Sequence, residues 1–378
     1  MAHIAKGLEG VVVSDTALSH IDGENGRLIY SGYDIADVAH GASFEEVVHL
    51  LWLGHLPNQR ELAELNAKLV GYRAVPTAVI ETIRALPATS EPMDVLRTAI
   101  SALGAALHFT GPASVEHAMA LTASMPTAVA AFDRLRRGLK TVAPRTDLSH
   151  AGNYLYMLSG EAPSEQRTRA LDTYLILTAD HGFNASTFTA RVIASTLSDM
   201  GSAVVGAIGA LKGPLHGGAP ALVLQMLQSI GKPENAEAWL TAALDRGERL
   251  MGFGHRVYKA EDPRAKVLRV LAERTSEIDF FRLAVRVEDV ALKLLHERKP
   301  ERRLYTNVEF YSAAVMHGVG LPDDLFTPTF AISRTAGWTA HVIEQLKDNR
   351  LIRPAAEYVG PTGLTFVPLA RRLAPAPA

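Results

Sequence analysis

The sequence predicts an all-α fold that carries a short N-terminal β-hairpin. From Ser43 onward, apolar residues recur at spacings of three and four, which is typical of helices that bury one face. Before that point, the strand-like segments 19–21 and 28–30 flank the turn residues of segment 22–26. Strands and helices do not alternate along the chain, and this excludes a doubly wound parallel sheet.

Individual helices are predicted from their start signals and apolar periodicity. Ser43 and Glu46 form a capping box, in which each side chain accepts a hydrogen bond from the backbone of the other residue. Asn58 and Pro92 mark the next two helix starts. One more helix should begin just after His216, and others are predicted at about 112–138, 149–159, 164–180, 184–199, 201–211, 236–251, 263–274, 278–297, 307–318 and 328–346.

Composition limits the classes of function. The 378 residues are 48% hydrophobic and 21% charged, which is ordinary for a globular protein with a sizeable core. A formal net charge of −2 gives no electrostatic reason to expect nucleic acid or an acidic membrane surface as a partner. The absence of cysteine excludes disulfides and thiolate sites. The longest apolar run, about 201–211, is half the length that spans a bilayer. We therefore expect a cytoplasmic protein with neither nucleic acid nor membrane as a partner.

The stretch Gly252-Phe253-Gly254-His255, followed by Arg264, is the most informative motif. The two glycines allow backbone to approach a ligand closely. His255 can transfer a proton near neutral pH, and Arg264 offers a rigid fork of donors that suits a carboxylate. The alternative for His255 is a surface histidine among ordinary charges.

Two further histidines lie in glycine-rich breaks between helices. His216 lies between Pro214-Leu215 and Gly217-Gly218, at a predicted helix N-terminus that favours the neutral imidazole. A neutral ring there can donate a hydrogen bond to a carbonyl oxygen that becomes negative. His181 precedes the helix start at Asn184. Packing or capping roles remain the alternatives for both histidines.

Several charged residues are candidates for the same site. Arg334 lies inside an apolar helix, where an arginine is rarely buried without an anion. Glu309, between apolar neighbours, is either a helix-start acid or a functional carboxylate. Arg353 has the sequence context of an ordinary surface arginine. We predict no metal site, since no His-x-x-x-His motif or carboxylate cluster has ligand spacing, and a serine-hydrolase elbow is also absent.

Taken together, these motifs resemble the citrate synthase family in its shorter bacterial and archaeal form, over nearly the whole chain. The resemblance implies a large helical domain, 1–216 with 315–378, and a small helical domain, 217–314, with the site between them. It implies a homodimer, alone or as the unit of a larger assembly, that joins acetyl-CoA to oxaloacetate and hydrolyses the thioester to citrate and CoA. Acetyl-CoA is then a cosubstrate, and no cofactor is bound permanently.

The resemblance also implies a role for each candidate residue. Glu309 removes a proton from the acetyl methyl group, His216 donates to the thioester oxygen, and His255 protonates the ketone oxygen of oxaloacetate. Oxaloacetate is held by His181, Arg264 and Arg334, with Arg353 reaching in from the other subunit. The residues expected at CoA are the backbone of Leu250, Met251, Gly252, Phe253 and Gly254, near the adenine, and Lys259, near the phosphates.

Three positions depart from the family pattern. Glu309 stands where aspartate is usual, Ala313 replaces a glycine, and Pro220 replaces an asparagine. Glutamate is one methylene longer, and a displacement of roughly an ångström can cost about a hundredfold in rate. We expect an active enzyme whose surroundings fit glutamate. The alternatives are a 2-methylcitrate synthase that uses propionyl-CoA, since one methylene is weakly discriminated, and a non-catalytic homologue that binds oxaloacetate or CoA.

Overall fold

The computed structural model describes residues 4–109, 111–255 and 257–372, which are mostly α-helical, so the predicted all-α class is confirmed. The helices in chain order are α1 (Ile35–Gly41), α2 (Phe44–Leu53), α3 (Gln59–Tyr72), α4 (Thr77–Ala85), α5 (Pro92–Leu107), α6 (Val115–Arg136), α7 (His150–Ser159), α8 (Glu165–Thr178), α9 (Ala185–Ser195), α10 (Met200–Leu211), α11 (Ala219–Ile230), α12 (Ala236–Asp245), α13 (Pro263–Thr275), α14 (Ile278–Arg298), α15 (Val308–Gly318) and α16 (Phe326–Lys347). Short 3-10 helices lie at Lys6–Leu8, Pro233–Asn235, Asp323–Leu325 and Leu369–Arg371. Within these described ranges, no helix is both long and apolar enough to cross a membrane.

A small antiparallel sheet precedes the helices. Strands β1 (Ser19–Asp22) and β2 (Arg27–Tyr30) form the predicted hairpin. A short third strand, β3 (Tyr33–Asp34), pairs with β2 and was not predicted. The fully buried Tyr30 donates a hydrogen bond of 2.8 Å from its hydroxyl to the backbone carbonyl of Asp180. The sheet is thereby fixed beside His181, just beyond the end of α8.

The predicted capping box begins α2. Ser43 Oγ accepts from the backbone N–H of Glu46 at 3.3 Å, and the Glu46 carboxylate accepts from the backbone N–H of Ser43 at 2.7 Å. Asn58 caps α3 in the same way, and Pro92 is the first residue of α5. Helices α1 and α4 are short and were not predicted.

The predicted helix at 236–251 is wrong at its C-terminal end, because α12 ends at Asp245. Gly247 adopts a left-handed conformation with φ 75°. Its N–H donates to the carbonyl of Leu244, and Glu248 N–H donates to the carbonyl of Ala243, both at 3.0 Å. This is a Schellman ending, which closes the last turn and releases the chain toward Gly252.

Helix α16 runs through the core and is buried along most of its length. It packs against α2, α6, α8, α9 and α10, whereas α11 to α15 pack largely against one another. Helices α13 and α15 also contact α8. The candidate site lies where these two groups of helices meet, at the ends of α8 and the starts of α9, α11, α13 and α15.

Candidate active site

The glycine-rich segment 252–254 pairs with the segment that leads into α15. Gly254 N–H donates to the Tyr305 carbonyl at 2.8 Å, and Asn307 N–H donates to the Gly252 carbonyl at 3.0 Å. The Asn307 side chain adds a bond of 2.9 Å to the Gly254 carbonyl. A Cβ at Gly252 would lie 2.8 Å from the Phe310 ring, so the close approach requires glycine. This pairing joins the segment before His255 to the segment before Glu309.

The ring of His255 is oriented by the backbone that follows it. Its Nδ1 accepts hydrogen bonds from the N–H groups of Val257 and Tyr258, each at 3.0 Å. Two N–H donors fix Nδ1 as an acceptor, so the proton of the neutral ring is on Nε2. Burial, and then the charge of Arg264, lower the pKa of His255 to about 4. The neutral ring therefore presents an N–H donor.

His181 lies next to His255, as the sequence predicted for a shared site. The two ring centroids are 5.5 Å apart in an edge-on arrangement. His181 Nε2 is 3.2 Å from the hydroxyl of Tyr258, a residue that the sequence analysis did not single out. Burial, and then the charge of Arg264, lower the pKa of His181 well below its ordinary value.

His216 comes three residues before α11 and is anchored by the first turn of α9. Its Nε2 accepts from the Ser186 backbone N–H at 3.3 Å and lies 2.8 Å from the Ser186 hydroxyl. Trp338 Nε1 donates to that same hydroxyl at 3.0 Å. Because Nε2 is an acceptor, the proton of the neutral ring is on Nδ1. Burial, and then the charge of Arg334, lower the pKa of His216 to about 4.

Two arginines are buried at the site. Arg264 forms a fork with Asp262, with Nε 3.0 Å and Nη2 2.8 Å from its two carboxylate oxygens. Arg334 donates from Nε to the Thr178 carbonyl at 2.7 Å. Each arginine is 2% exposed. These bonds do not involve Nη1 of Arg264 or either Nη atom of Arg334. Besides burial, the charges of both arginines lower the pKa of His181, so two cations lie near this ring, where carboxylates of a small anion can bind.

Glu309 is at the start of α15, where Asn307 Oδ1 accepts from its backbone N–H at 3.1 Å. Its side chain is half-buried, and its Oε2 is buried without a hydrogen-bond partner among the described residues. Burial raises the pKa of Glu309, and the charge of Arg264 opposes this effect. A desolvated carboxylate with one oxygen that has no hydrogen-bond partner is suited to accept a proton.

A second carboxylate, Glu288 of α14, supports the segment around Glu309. Its oxygens accept from Thr306 Oγ1 at 2.6 Å and from the Tyr311 hydroxyl. Glu288 therefore holds one residue before Glu309 and one after it. Sequence reasoning missed Glu288 and the contact of Ser186 with His216, because these partners are known only from the fold.

The N-terminal hairpin touches the loop that orients His255. Gly23 O accepts from the Lys259 backbone N–H at 2.8 Å, and a Cβ at Gly23 would overlap the Val257 carbonyl. The Lys259 ammonium pairs with Glu24 on the surface. The turn between β1 and β2 is therefore in tight contact with Val257, whose N–H is one of the two donors to the His255 ring.

The remaining predicted residues lie on the loop before His255 and on the segment after α16. Leu250 and Phe253 bury their side chains, Met251 is half-buried, and all three lie on the loop before His255. Arg353 is exposed on the segment after α16, where the neighbouring Ile352 N–H donates to Ser195 Oγ at 3.0 Å. No contact between Arg353 and the other candidate residues appears in the described part of this single chain.

The chain is similar in sequence and in structure to known proteins along nearly its whole length. A family model described as citrate synthase, C-terminal domain, matches residues 7–355. Citrate synthase 2 of Bacillus subtilis is 48% identical over 97% of this chain and 99% of its own. A 2-methylcitrate synthase of Mycobacterium tuberculosis is 44% identical over 94% of this chain and 91% of its own. The Thermoplasma acidophilum citrate synthase, solved as a ternary complex with carboxymethyl coenzyme A and oxaloacetate, is 35% identical and superposes with a TM-score of 0.92, covering 98% of this chain and 100% of that one. The chain belongs to the citrate synthase family.

Proposed function

We propose that this protein condenses acetyl-CoA with oxaloacetate and hydrolyses the resulting thioester to citrate and CoA. The main support is the surroundings of Arg264. Its charge acts on Glu309, which has a buried, unpaired carboxylate oxygen, and on His181 and His255, which burial keeps neutral. A carboxylate base with one unpaired oxygen, neutral N–H donors and fixed cations are what enolisation and addition to a dianionic ketone require.

In the first step, Glu309 removes a proton from the methyl carbon of the thioester. The negative charge that would develop on the thioester oxygen is met by the Nδ1–H of His216, because Ser186 occupies Nε2. The enolate that forms is stabilised by this hydrogen bond, so no bare carbanion arises. In the second step the enolate carbon bonds to the ketone carbon of oxaloacetate, and His255 gives its Nε2 proton to the ketone oxygen. The proton that Glu309 took replaces the one that His255 gave. Water then adds to the thioester carbonyl and the C–S bond breaks, which releases citrate and CoA as the thiol.

Arg264, Arg334 and His181 hold oxaloacetate in this proposal. The Asp262 fork fixes the guanidinium plane of Arg264 and leaves Nη1 for a substrate carboxylate. Arg334, held through Nε alone, offers its two Nη groups. Cations that are already ordered and buried offset the cost of taking a dianion out of water.

The site is completed by a second subunit. The extended segment after α16 leaves large apolar side chains exposed, at Leu351, Tyr358, Val359, Leu364, Phe366 and Leu369. Such a run indicates a surface that another chain covers. We assign that cover to the second copy of a homodimer, which carries Arg353 toward the oxaloacetate of its neighbour. The small domain, 217–314, closes on the large domain, 1–216 with 315–378, and brings the 250–254 backbone and Lys259 to CoA.

Oxaloacetate-dependent release of CoA thiol tests the activity, with acetyl-CoA and propionyl-CoA compared at several concentrations. The cysteine-free chain adds no thiol background. A higher kcat/KM for acetyl-CoA supports the proposal. A preference for propionyl-CoA assigns 2-methylcitrate synthase, which the M. tuberculosis relative favours as the second candidate. No release by folded protein that binds oxaloacetate supports a non-catalytic homologue.

Mixing two inactive variants tests the shared site. In a mixed dimer of Arg353→Ala with Glu309→Ala, one site regains both wild-type residues if Arg353 acts across the interface. Activity should then return on mixing and refolding. If Arg353 acts within its own chain, each site in the mixed dimer lacks one residue, and activity stays absent.

A further inference from the structure

Two histidines and a glutamate meet at the junction of α2 and α3, away from the candidate active site. His49 lies in α2, His55 in the connecting loop, and Glu61 in the first turn of α3. One ligand-type atom from each residue lies within 4.8 Å of the other two, and His55 Nε2 is 3.3 Å from Glu61 Oε1. His49, His55 and Glu61 are spaced six residues apart, and the loop between α2 and α3 interrupts this spacing. The sequence therefore does not show the three- or four-residue spacing of metal ligands on one helix.

Backbone carbonyls set the tautomers of both histidines. His49 Nδ1 is 2.9 Å from the carbonyl of His55, and His55 Nδ1 is 3.3 Å from the carbonyl of Leu53. A carbonyl only accepts, so each Nδ1 carries a proton and the neutral rings present the lone pairs of Nε2. Histidines that bind metals are oriented in this manner, with the second nitrogen donating to a carbonyl.

Glu61 is held in place by the helix start. Its Oε2 accepts from the Asn58 backbone N–H at 2.8 Å, which leaves Oε1 facing His55. Oε1 of Glu61 and Nε2 of His55 therefore face each other at 3.3 Å, and a cation bound between them takes the place of a shared proton.

We propose that His49, His55 and Glu61 bind one divalent transition-metal ion of the Zn²⁺ class, with solvent in the remaining position. Two imidazoles and a carboxylate suit Zn²⁺, whereas Mg²⁺ and Ca²⁺ prefer ligands that are all oxygen. His49 is 3% exposed, while the side chains of His55 and Glu61 are 55% and 36% exposed, so an ion can enter from solvent. The ion joins the end of α2 to the start of α3 and stabilises the folded chain.

Calorimetric titration of the full-length, chelator-treated protein with ZnCl₂ tests this site, and Co²⁺ absorption reports on tetrahedral ligation. His55→Gln removes an exposed ligand. Glu61→Gln removes the charged ligand yet keeps a side chain that can complete the capping box. His40→Gln is the matched control, since His40 is exposed on α1 and outside the cluster.

Wild type and His40→Gln should bind one Zn²⁺ per chain and gain thermal stability from it. His55→Gln and Glu61→Gln should bind about tenfold more weakly or worse and lose the tetrahedral Co²⁺ bands. CoA release should be the same in all four proteins, which separates this site from the proposed activity. Absence of Zn²⁺ binding by wild type, or equal binding by His55→Gln, would overturn the proposal.

Discussion

We predict that Gly23 supports catalysis through the loop that orients His255, although it touches no substrate in the proposed reaction. The backbone of Gly23 is not left-handed, so alanine there meets only a steric penalty. The added Cβ would lie 3.0 Å from the carbonyl carbon of Val257 and overlap its oxygen. Ordinary contacts between carbon atoms are about 3.5 to 4.0 Å, so Val257 must move by about 0.5 to 1 Å.

This movement acts on the ring of His255, because the Val257 N–H is one of the two donors to its Nδ1. A misplacement of about 1 Å can lower an enzymatic rate about a hundredfold. We therefore expect Gly23→Ala to lower kcat for CoA release about 10- to 100-fold. Oxaloacetate should still raise the melting temperature of the variant, since the buried arginines do not contact Gly23.

The matched control is Gly41→Ala, at the end of α1, where an added Cβ meets nothing within 4 Å. This variant should keep wild-type kcat. If Gly23→Ala, folded and purified in parallel, turned over within twofold of wild type, the hairpin would have no part in positioning His255.

Three further predictions concern charge and packing. Burial depresses the pKa of His255 to about 4, so the unfolded chain takes up a proton below about pH 6.5 that the folded protein takes up only near pH 4. Neutral His255 therefore contributes fully to the free energy of unfolding above pH 6.5, and up to about 3 kcal/mol of it is lost as the pH falls toward 4. The free energy of urea unfolding of His255→Asn should depend less on pH over this range than that of wild type, and an equal dependence would contradict the shift. Arg264→Lys should raise the KM for oxaloacetate about tenfold or more, because an ammonium cannot maintain the Asp262 fork and bind a carboxylate with fixed geometry, and an unchanged KM in initial-rate assays would contradict this. Glu288→Ala should lower the free energy of unfolding by about 2 kcal/mol, since it leaves the Thr306 and Tyr311 hydroxyls buried without their acceptor; an unchanged chemical denaturation midpoint would refute the supporting role.

Local signals in the sequence predicted most of the fold. The caps at Ser43 and Asn58 and the long apolar periodicities mark helix starts that depend on neighbouring residues alone. Helices α1 and α4 are too short for a strong periodic signal. The end of α12 depends on the left-handed conformation of Gly247, and a single glycine does not identify that conformation without its hydrogen bonds.

The sequence predicted the types of residue in the candidate site, but not the contacts that hold those residues in position. Glycine-flanked histidines and arginines in apolar surroundings are visible as types of residue. The contact between Ser186 and Trp338 joins residues 152 apart in the chain, and the bond from Tyr30 to the Asp180 backbone joins residues 150 apart. No spacing encodes such contacts, because they exist only after α8, α9 and α16 have packed. The roles of the site residues remain predictions.

The measurement that tests the account most directly is oxaloacetate-dependent CoA release by wild type and by Glu309→Gln, with the carbon product identified. Glutamine fills nearly the same volume but cannot accept the methyl proton. Wild type should form citrate, and Glu309→Gln should lose about 100- to 10,000-fold in kcat while it still binds oxaloacetate. Equal turnover by the two proteins would contradict the assignment of Glu309 as the base.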